Sequence, residues 1–310
     1  MTFPQHLPNI HFRDHCLDAM SFRFHGEGAL PCGFLAGNSA SECWQMGSDF
    51  AFLSLHIAET GDLVADTKRA YAELITQVRA SAHPYLIRIW NYFADINVGD
   101  EDAERYRQFC VGRAQAVDVA FNNPPPAATA IGYNGKNIGL FVIALCSNTK
   151  ALALENVRQT PAWQYPRQYG KVSPGFSRGA LLLAQSESPI LLASGTASIV
   201  GHASVQIEDV AEQCRESLRN LRTLLDEGEK HGGARFDFSA CQALRVYVRD
   251  PSQLATIQAV FEQSGIPTQN IVYVHGEVCR RELAVELEGV FGALQGGSRP
   301  TMLLQRRTQS

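Results

Sequence analysis

The feature that most constrains the fold is an order of strand, helix and second strand that occurs twice in this chain of 310 residues. The first copy comprises F-A-F-L-S-L-H-I, a helical segment at 62–82 and L-I-R-I-W-N-Y, and the second comprises P-I-L-L-A-S, a helical segment at 207–225 and A-L-R-V-Y-V. Arg88 and Arg245 each lie within the second strand of their copy, and the copies are about 150 residues apart. The repeat predicts an α+β protein with two related halves, each a mostly antiparallel sheet with helices packed on one face.

The connection between the halves is predicted in the irregular stretch Glu155–Ser177, which three prolines and two glycines interrupt. Its many aromatic residues argue against disorder, and long irregular segments in compact proteins are often functional. We therefore expect an N-terminal domain at 1–170 that ends in one wall of a site, a second domain at 171–294, and a disordered tail at 295–310. Strands at 127–133 and 138–146 are expected to pair as a hairpin around N-G-K-N.

Composition excludes several classes of function. The net charge of −4 gives no reason to expect a nucleic-acid or membrane partner, and no apolar run is long enough to span a bilayer. The first residues lack the basic and apolar regions of a secretory signal, and the eight cysteines are scattered without a C-x-x-C motif. These features predict reduced thiols in a cytoplasmic protein.

A stretch near the C-terminus, V-Y-V-H-G-E-V-C-R-R-E-L-A-V-E-L-E-G, ends in an alternating apolar and polar pattern. Such alternation is typical of a strand with one apolar face, so Glu286 and Glu288 are expected on the opposite face from Val285 and Leu287. The pattern leaves two alternatives open: both glutamates are solvated, or one of them lines a cleft.

The segment from Gly175 to Glu288 resembles the RidA/YjgF superfamily. The resemblance is carried by P-G-F-S-R at 174–178, S-G-T at 194–196, E-D-V-A-E-Q-C-R-E-S-L-R-N-L at 208–221 and V-E-L-E at 285–288. It implies the fold of that superfamily in both halves and a functional role for Glu286. Simple members have an arginine about fifteen residues before that glutamate, where this chain has Asn270–Ile271.

From about residue 87 to residue 289 the chain is similar to the chorismatases, which cleave chorismate on that fold. The motifs that carry this similarity are R-I-W-N-Y-F-A-D-I-N (88–97), Y-R-Q-F-C-V-G-R-A-Q-A (106–116), E-N-V-R-Q-T-P-A-W-Q-Y-P-R-Q-Y-G (155–170), S-P-G-F-S-R (173–178), S-G-T-A-S-I-V-G-H (194–202) and V-C-R-R-E-L-A-V-E-L-E-G (278–289). The similarity implies cleavage of the enolpyruvyl ether of chorismate without a metal, flavin or nucleotide cofactor.

Chorismate carries two carboxylates, so a site for it requires two separate cationic clamps, and the guanidinium fork of arginine suits them. The expected substrate-binding residues are Arg113, Arg167, Arg178, Tyr133, Tyr165, Tyr169 and Ala197, with Arg158 a weaker candidate. Cleavage begins with protonation of the enolpyruvyl methylene, which requires an acid that stays protonated near pH 7. Glu286 is the expected acid and Glu288 is expected to be structural.

Two fates of the resulting cation compete. The presence of Cys279 resembles the hydroxybenzoate-forming members of the family, in which a thiol shields the ring. This resemblance implies that the ring product is 3-hydroxybenzoate, with 4-hydroxybenzoate as a further product. Hydrolysis to a dihydroxycyclohexadiene carboxylate is the alternative, and an imine deaminase or an aromatic-acid-binding module is a second alternative. The expected oligomeric state is a monomer or a homotrimer.

Overall fold

The computed structural model describes residues 30–31, 39–46, 50–133, 139–182 and 189–293, so the tail expected at 295–310 lies outside the described residues. The elements of the first half are β1 (Leu30–Pro31), β2 (Ser39–Met46), β3 (Phe50–Ile57), α1 (Leu63–Ala80), β4 (Tyr85–Ala94), α2 (Arg105–Ala116), β5 (Ala127–Tyr133) and β6 (Leu140–Ser147). Those that follow are β7 (Leu152–Leu154), β8 (Gly179–Leu182), β9 (Ile190–Ala197), β10 (Ile199–Val200), β11 (Ala203–Ser204), α3 (Val210–Gly232), β12 (Cys241–Val248), α4 (Leu254–Glu262), β13 (Ile271–His275), β14 (Glu277–Val278) and β15 (Val285–Gly292).

The two large sheets have the same internal strand order, which confirms the predicted α+β fold with two related halves. One sheet runs β1-β2-β3-β6-β4-β5-β14 and the other, taken from its β7 edge, runs β7-β8-β9-β15-β12-β13. In each sheet the pair that a helix connects is parallel, β4 with β5 and β12 with β13. The other named pairs of these sheets are antiparallel.

The predicted hairpin between the strands at 127–133 and 138–146 is wrong. β4 lies between β5 and β6, pairing in parallel with β5 and antiparallel with β6. Eight successive residues of β4, Ile87–Ala94, are buried, so both edges of this strand need partners for their backbone N–H and C=O groups. A turn motif such as N-G predicts a reversal of the chain, but it does not decide which strand occupies the neighbouring position.

Side chains from both sheets form one apolar core between them, and each sheet carries its helices on the other face. The amphipathic pattern predicted at 207–225 forms α3, in which Cys214, Leu221 and Leu225 are buried. The Asp209 carboxylate caps the start of this helix by accepting from the Glu212 N–H, and Gly233, with φ of 65°, ends it. The helix therefore continues a further two turns beyond the predicted end.

The two halves are interlocked along the chain. β7 precedes residue 171 but belongs to the second sheet, whereas β14 pairs with β5 at the edge of the first sheet. The segment Glu155–Ser177 is irregular as predicted, with short 3-10 turns at Ala162–Gln164 and Arg167–Tyr169. Among the described helices, none combines the length and the apolar character needed to span a membrane.

Candidate active site

A cavity of about 430 Å³ lies between the two halves of the chain. Its lining comes from α2 and β5 of the first half, from the irregular segment, and from β9, β15 and the turn before β15 in the second half. Seven of the nine predicted site residues line it: Cys279, Glu286, Arg113, Arg178, Tyr165, Tyr169 and Ala197. Both halves of a single chain thus contribute to this cavity.

The structure does not bring Arg167 or Tyr133 into the cavity. The Arg167 guanidinium is exposed and donates to both carboxylate oxygens of Asp102, at 2.9 and 2.6 Å. Tyr133 lies at the end of β5 in the core between the sheets, where its hydroxyl donates to the Gly139 carbonyl at 2.9 Å. Arg158, the weaker candidate, pairs with Glu216 away from the cavity. The local motif predicted a polar cluster here but not the direction of each side chain.

Glu286 lies on β15 between Ala197 of β9 and Tyr247 of β12 and is 5% exposed. Burial raises the pKa of its carboxyl group to about 8, and the nearby Glu288 acts in the same direction. The positive charges of Arg88 and Arg178 oppose this shift. The carboxyl group is therefore protonated at neutral pH, as a proton donor has to be.

Glu288 is fully buried and accepts hydrogen bonds from five side chains, which replace the water that its carboxylate oxygens lack. The donors are Arg88 Nη2 at 2.5 Å, Thr129 Oγ1 at 2.5 Å, Tyr247 Oη at 2.8 Å, Trp90 Nε1 at 3.0 Å and Arg245 Nη1 at 3.1 Å. The two arginines that mark the sequence repeat thus meet at one carboxylate. Neither glutamate of the alternating pattern is solvated: one lines the cavity and the other is structural.

The first half has no counterpart of these two glutamates. In the second half, Glu286 and Glu288 lie opposite Tyr247 and Arg245 of β12. The corresponding positions in the first half, opposite Trp90 and Arg88 of β4, are Ile143 and Leu145 of β6. Among the residues that the structure describes, the repeat therefore provides this carboxylate pair once.

Gly195 has no side chain, and this leaves the space that the Glu286 carboxyl group occupies. A Cβ atom there would overlap Oε1 of Glu286. The Gly195 N–H donates to Thr129 Oγ1 at 2.9 Å, and Thr129 in turn donates to Glu288. The backbone beneath Glu286 is thus anchored to the buried charge network.

Gly195→Ala is expected to lower kcat by about 100-fold, because displacing a reacting group by about 1 Å has effects of that size. KM is expected to change less, since the substitution does not touch the cavity arginines. Steady-state kinetics of the purified variant measures both. Gly232→Ala, at the end of α3 outside the cavity lining, is the control and should retain its activity.

Arg113 and Arg178 are nearly fully buried, at 6% and 3% exposure. In the described part of the chain, Arg113 Nη2 and Arg178 Nε are buried without a hydrogen-bond partner. Arg178 Nη2 donates to the Thr160 carbonyl at 3.0 Å and to the Tyr165 hydroxyl at 2.7 Å. A buried cation with unused N–H groups at a cavity wall provides a site for an anion.

A third arginine of the cavity, Arg280, was missed by the sequence prediction. Its guanidinium lies 4.0 Å from the ring centre of Tyr169 and 5.2 Å from that of Tyr165, and its Nη1 donates to Ser204 Oγ at 3.1 Å. Its Nη2 is a further buried nitrogen without a partner among the described residues. Its position directly after the predicted site residue Cys279 was the sequence feature that could have identified Arg280 as part of the site.

Two more lining residues, Tyr106 and Cys110, were also missed. They lie one turn apart on the face of α2 that carries Arg113, so helical spacing was the available signal. Burial raises the pKa of Cys110 to about 12 and that of Tyr106 well above its usual value. Burial and the neighbouring Glu286 also raise the pKa of Cys279, so both cavity cysteines are neutral thiols.

No group of three or more potential metal ligands occurs among the residues that the structure describes. The cavity instead combines a protonated carboxyl group, three arginines with unused N–H groups, and aromatic side chains. This arrangement suits an anionic ring compound that reacts by proton transfer.

The family described as Chorismatase FkbO/Hyg5-like, N-terminal, matches residues 34–145. A 3-hydroxybenzoate synthase from Streptomyces hygroscopicus is 32% identical over 252 residues, which cover 78% of this chain and 74% of the relative. A chorismatase from Streptomyces rapamycinicus is 32% identical over 274 residues, covering 86% and 80%. A crystal structure of a chorismatase superposes with a TM-score of 0.75 at 31% identity, covering 84% of this chain and 80% of that one. The chain belongs to the chorismatase family.

Proposed function

We propose that this protein cleaves the enolpyruvyl ether of chorismate to pyruvate and 3-hydroxybenzoate, with 4-hydroxybenzoate as a further product. The observation that carries the proposal is the buried Glu286 carboxyl group, whose pKa is raised to about 8 at the wall of the cavity. The names of the relatives, chorismatase and 3-hydroxybenzoate synthase, support the same reaction.

Arg113 and Arg178 are the proposed clamps for the two carboxylates of chorismate. They lie on different elements, α2 and the end of the irregular segment, and both present buried N–H groups without partners among the described residues. Arg280 adds a third cation that is stacked on Tyr169. Tyr165 and Tyr169 line the same wall and contact the substrate ring and its hydroxyl group in this proposal.

Glu286 transfers its proton to the terminal methylene carbon of the enolpyruvyl group. The electron pair of the double bond forms the new C–H bond, and a cation develops at the carbon that carries the ether oxygen. The carboxylate that remains stabilises this cation electrostatically, because the site is shielded from water. The ether bond then breaks, and the side chain leaves as pyruvate.

Exclusion of water decides which ring product forms. When a ring hydroxyl oxygen attacks the ring carbon that bears the ether, the bond from that carbon to the ether oxygen breaks, and its electron pair forms the carbonyl group of pyruvate. The hydroxyl proton returns to the Glu286 carboxylate, and the ring isomerises to aromatic hydroxybenzoate without consuming water. When water attacks the cation instead, one of its protons returns to Glu286, and the resulting hemiketal splits into pyruvate and a dihydroxycyclohexadiene carboxylate. Cys279 and Ala197, an apolar thiol and a methyl group beside Glu286, favour the route without water in this proposal.

Incubation of the purified protein with chorismate tests the function, with pyruvate and the ring product followed together by mass spectrometry. Pyruvate with 3-hydroxybenzoate is the expected result. Pyruvate with the dihydrodiol would retain the acid step but overturn the proposed role of Cys279. Absence of pyruvate would contradict the proposal and favour an imine deaminase or a binding module for aromatic acids.

Cys279→Ala is expected to shift the ring product toward the dihydrodiol while pyruvate release continues, because a smaller side chain admits water to the cavity. The product ratio, measured by liquid chromatography and mass spectrometry at equal pyruvate yield, tests this. Cys214→Ala is the matched control, since that thiol lies on the buried face of α3 and does not line the cavity. An unchanged product ratio in Cys279→Ala would assign the exclusion of water to other side chains.

A further inference from the structure

We infer that Glu155 is a positioning residue for substrate binding that takes up a proton when a substrate carboxylate binds to Arg178. The inference rests on the proposed function and deepens it, since it concerns how the same site accepts a dianion. Glu155 itself does not line the cavity, whereas Arg178 does.

The geometry places the Glu155 carboxylate behind Arg178. Glu155 directly follows β7, and its Oε1 accepts from the Arg178 backbone N–H at 3.2 Å. Its Oε2 is buried and has no hydrogen-bond partner among the described residues, and the same holds for Arg178 Nε. Arg178 therefore interacts through its backbone N–H and its charge with a half-buried carboxylate of the protein, and it also lines the cavity that admits the substrate.

Arg178 is the cation whose charge acts on the Glu155 carboxyl group. The next arginine along the chain, Arg158, is paired with Glu216. Burial raises the pKa of Glu155 to about 7, and the charge and backbone N–H of Arg178 oppose this shift. Near pH 7 the carboxyl group is thus close to half ionised and responds to any change in the charge beside it.

A carboxylate that binds Arg178 from the cavity adds negative charge beside Glu155. The protonated form of Glu155 is then favoured, so substrate binding and proton binding support each other. By the same linkage, ionised Glu155 competes for Arg178, and binding of the dianion weakens as pH rises above about 7. A fully exclusive competition would raise the dissociation constant about tenfold between pH 6 and pH 8.

Titration calorimetry of chorismate into the Glu286→Gln variant tests the inference. This background slows turnover and removes Glu286, the other titrating carboxyl group that interacts with Arg178. Titrations at pH 7 in two buffers of different ionisation enthalpy give the number of protons exchanged. We expect an uptake of up to about half a proton for each chorismate bound, because about half of the Glu155 groups are ionised at that pH.

Addition of Glu155→Gln is expected to abolish the proton uptake and to flatten the pH dependence of binding to within about twofold. The glutamine amide oxygen can still accept the Arg178 N–H. If the role of Glu155 were purely structural, the proton uptake would therefore be the same with and without this substitution. Glu59→Gln in the same background is the matched control, because that carboxylate also pairs with an arginine, Arg105, and neither residue lines the cavity.

The outcomes separate this inference from the proposed function. Proton uptake that disappears with Glu155→Gln but persists with Glu59→Gln supports the inference. Chorismate binding without proton uptake, or uptake that survives Glu155→Gln, overturns it and leaves the proposed function intact. A lack of chorismate binding at all overturns both, because Arg178 would then not be a site for this dianion.

Discussion

Glu286→Gln is expected to lower the rate of pyruvate release from chorismate by about 10²–10⁴-fold, the usual contribution of a general acid. Glutamine has nearly the shape of a protonated glutamic acid, so the cavity and its arginines should be preserved. It has no proton of suitable acidity to transfer to the methylene carbon, and it cannot become the carboxylate that stabilises the cation. Steady-state measurement of pyruvate, together with the dissociation constant for chorismate, separates lost chemistry from lost binding.

The matched control for this prediction is Glu282→Gln. Glu282 lines the same cavity but is exposed, and its carboxylate accepts from the Ser204 hydroxyl. Its substitution replaces another carboxyl group at the same cavity with an amide and leaves the buried acid in place, so activity should fall by less than about threefold. Full activity in Glu286→Gln, or equal losses in the two variants, would assign the proton donor to another group.

The same carboxyl group sets the expected pH dependence of kcat. An acid is active in its protonated form, and the pKa of Glu286 is raised to about 8 in the folded protein. The rate constant kcat should therefore be highest below pH 8 and fall about tenfold for each further pH unit above it. A profile of kcat that stays flat to pH 9 would contradict the assignment.

The sequence was sufficient to predict the repeat, the sheets with helices on one face, and seven residues of the cavity wall. The proposed acid could be identified as a candidate because a glutamate two residues from another, on a strand with apolar alternate positions, has to be either solvated or held in a cleft. The resemblance of the segment from Gly175 to Glu288 to the RidA/YjgF superfamily favours the cleft, with Glu286 as the functional residue. The contacts that bury both glutamates were visible only in the structure.

The two misplaced residues show why the remainder of the site was not predictable. Arg167 belongs to the polar, aromatic segment Glu155–Ser177, whereas Tyr133 ends the apolar strand β5. Both lie near residues of the cavity in the sequence, and that proximity alone predicted them in the site. The side-chain direction of Arg167 is decided by Asp102, which lies 65 residues earlier in the chain. Long-range pairs of this kind follow from tertiary packing, and neither periodicity nor motif spacing encodes them.

Strand order was unpredictable for a similar reason. The sequence predicts a strand at 127–133 and another after it, but pairing is decided by the apolar strand β4, which takes both as its neighbours. Arg280 shows the converse case, since its neighbour Cys279 was predicted in the site. In an extended turn, adjacent side chains usually diverge, and here the rings of Tyr165 and Tyr169 draw the guanidinium to the cavity wall.

Glu288→Gln is expected to lower the free energy of unfolding by about 3–5 kcal/mol, because it leaves buried cations without their counter-charge. Arg88 and Arg245 both donate to this carboxylate, and the side chains involved in these two salt bridges are at most 3% exposed. Glutamine can accept from fewer of the five donors and carries no charge. Urea unfolding followed by fluorescence measures the effect. Glu212→Gln, whose salt bridge to Arg215 on α3 is largely exposed, should change the stability by less than about 1 kcal/mol.

A second effect of Glu288→Gln distinguishes an electrostatic role from simple loss of packing. Glu288 raises the pKa of Glu286, whereas Arg88 lowers it. With Glu288 neutral, the charge of Arg88 acts on Glu286 without opposition, so the ionised form of Glu286 becomes favourable at lower pH. The decline of kcat with pH should then begin below its position in the parent protein, in the fraction that remains folded. An unchanged profile in a destabilised variant would mean that Glu288 supports the fold without tuning the acid.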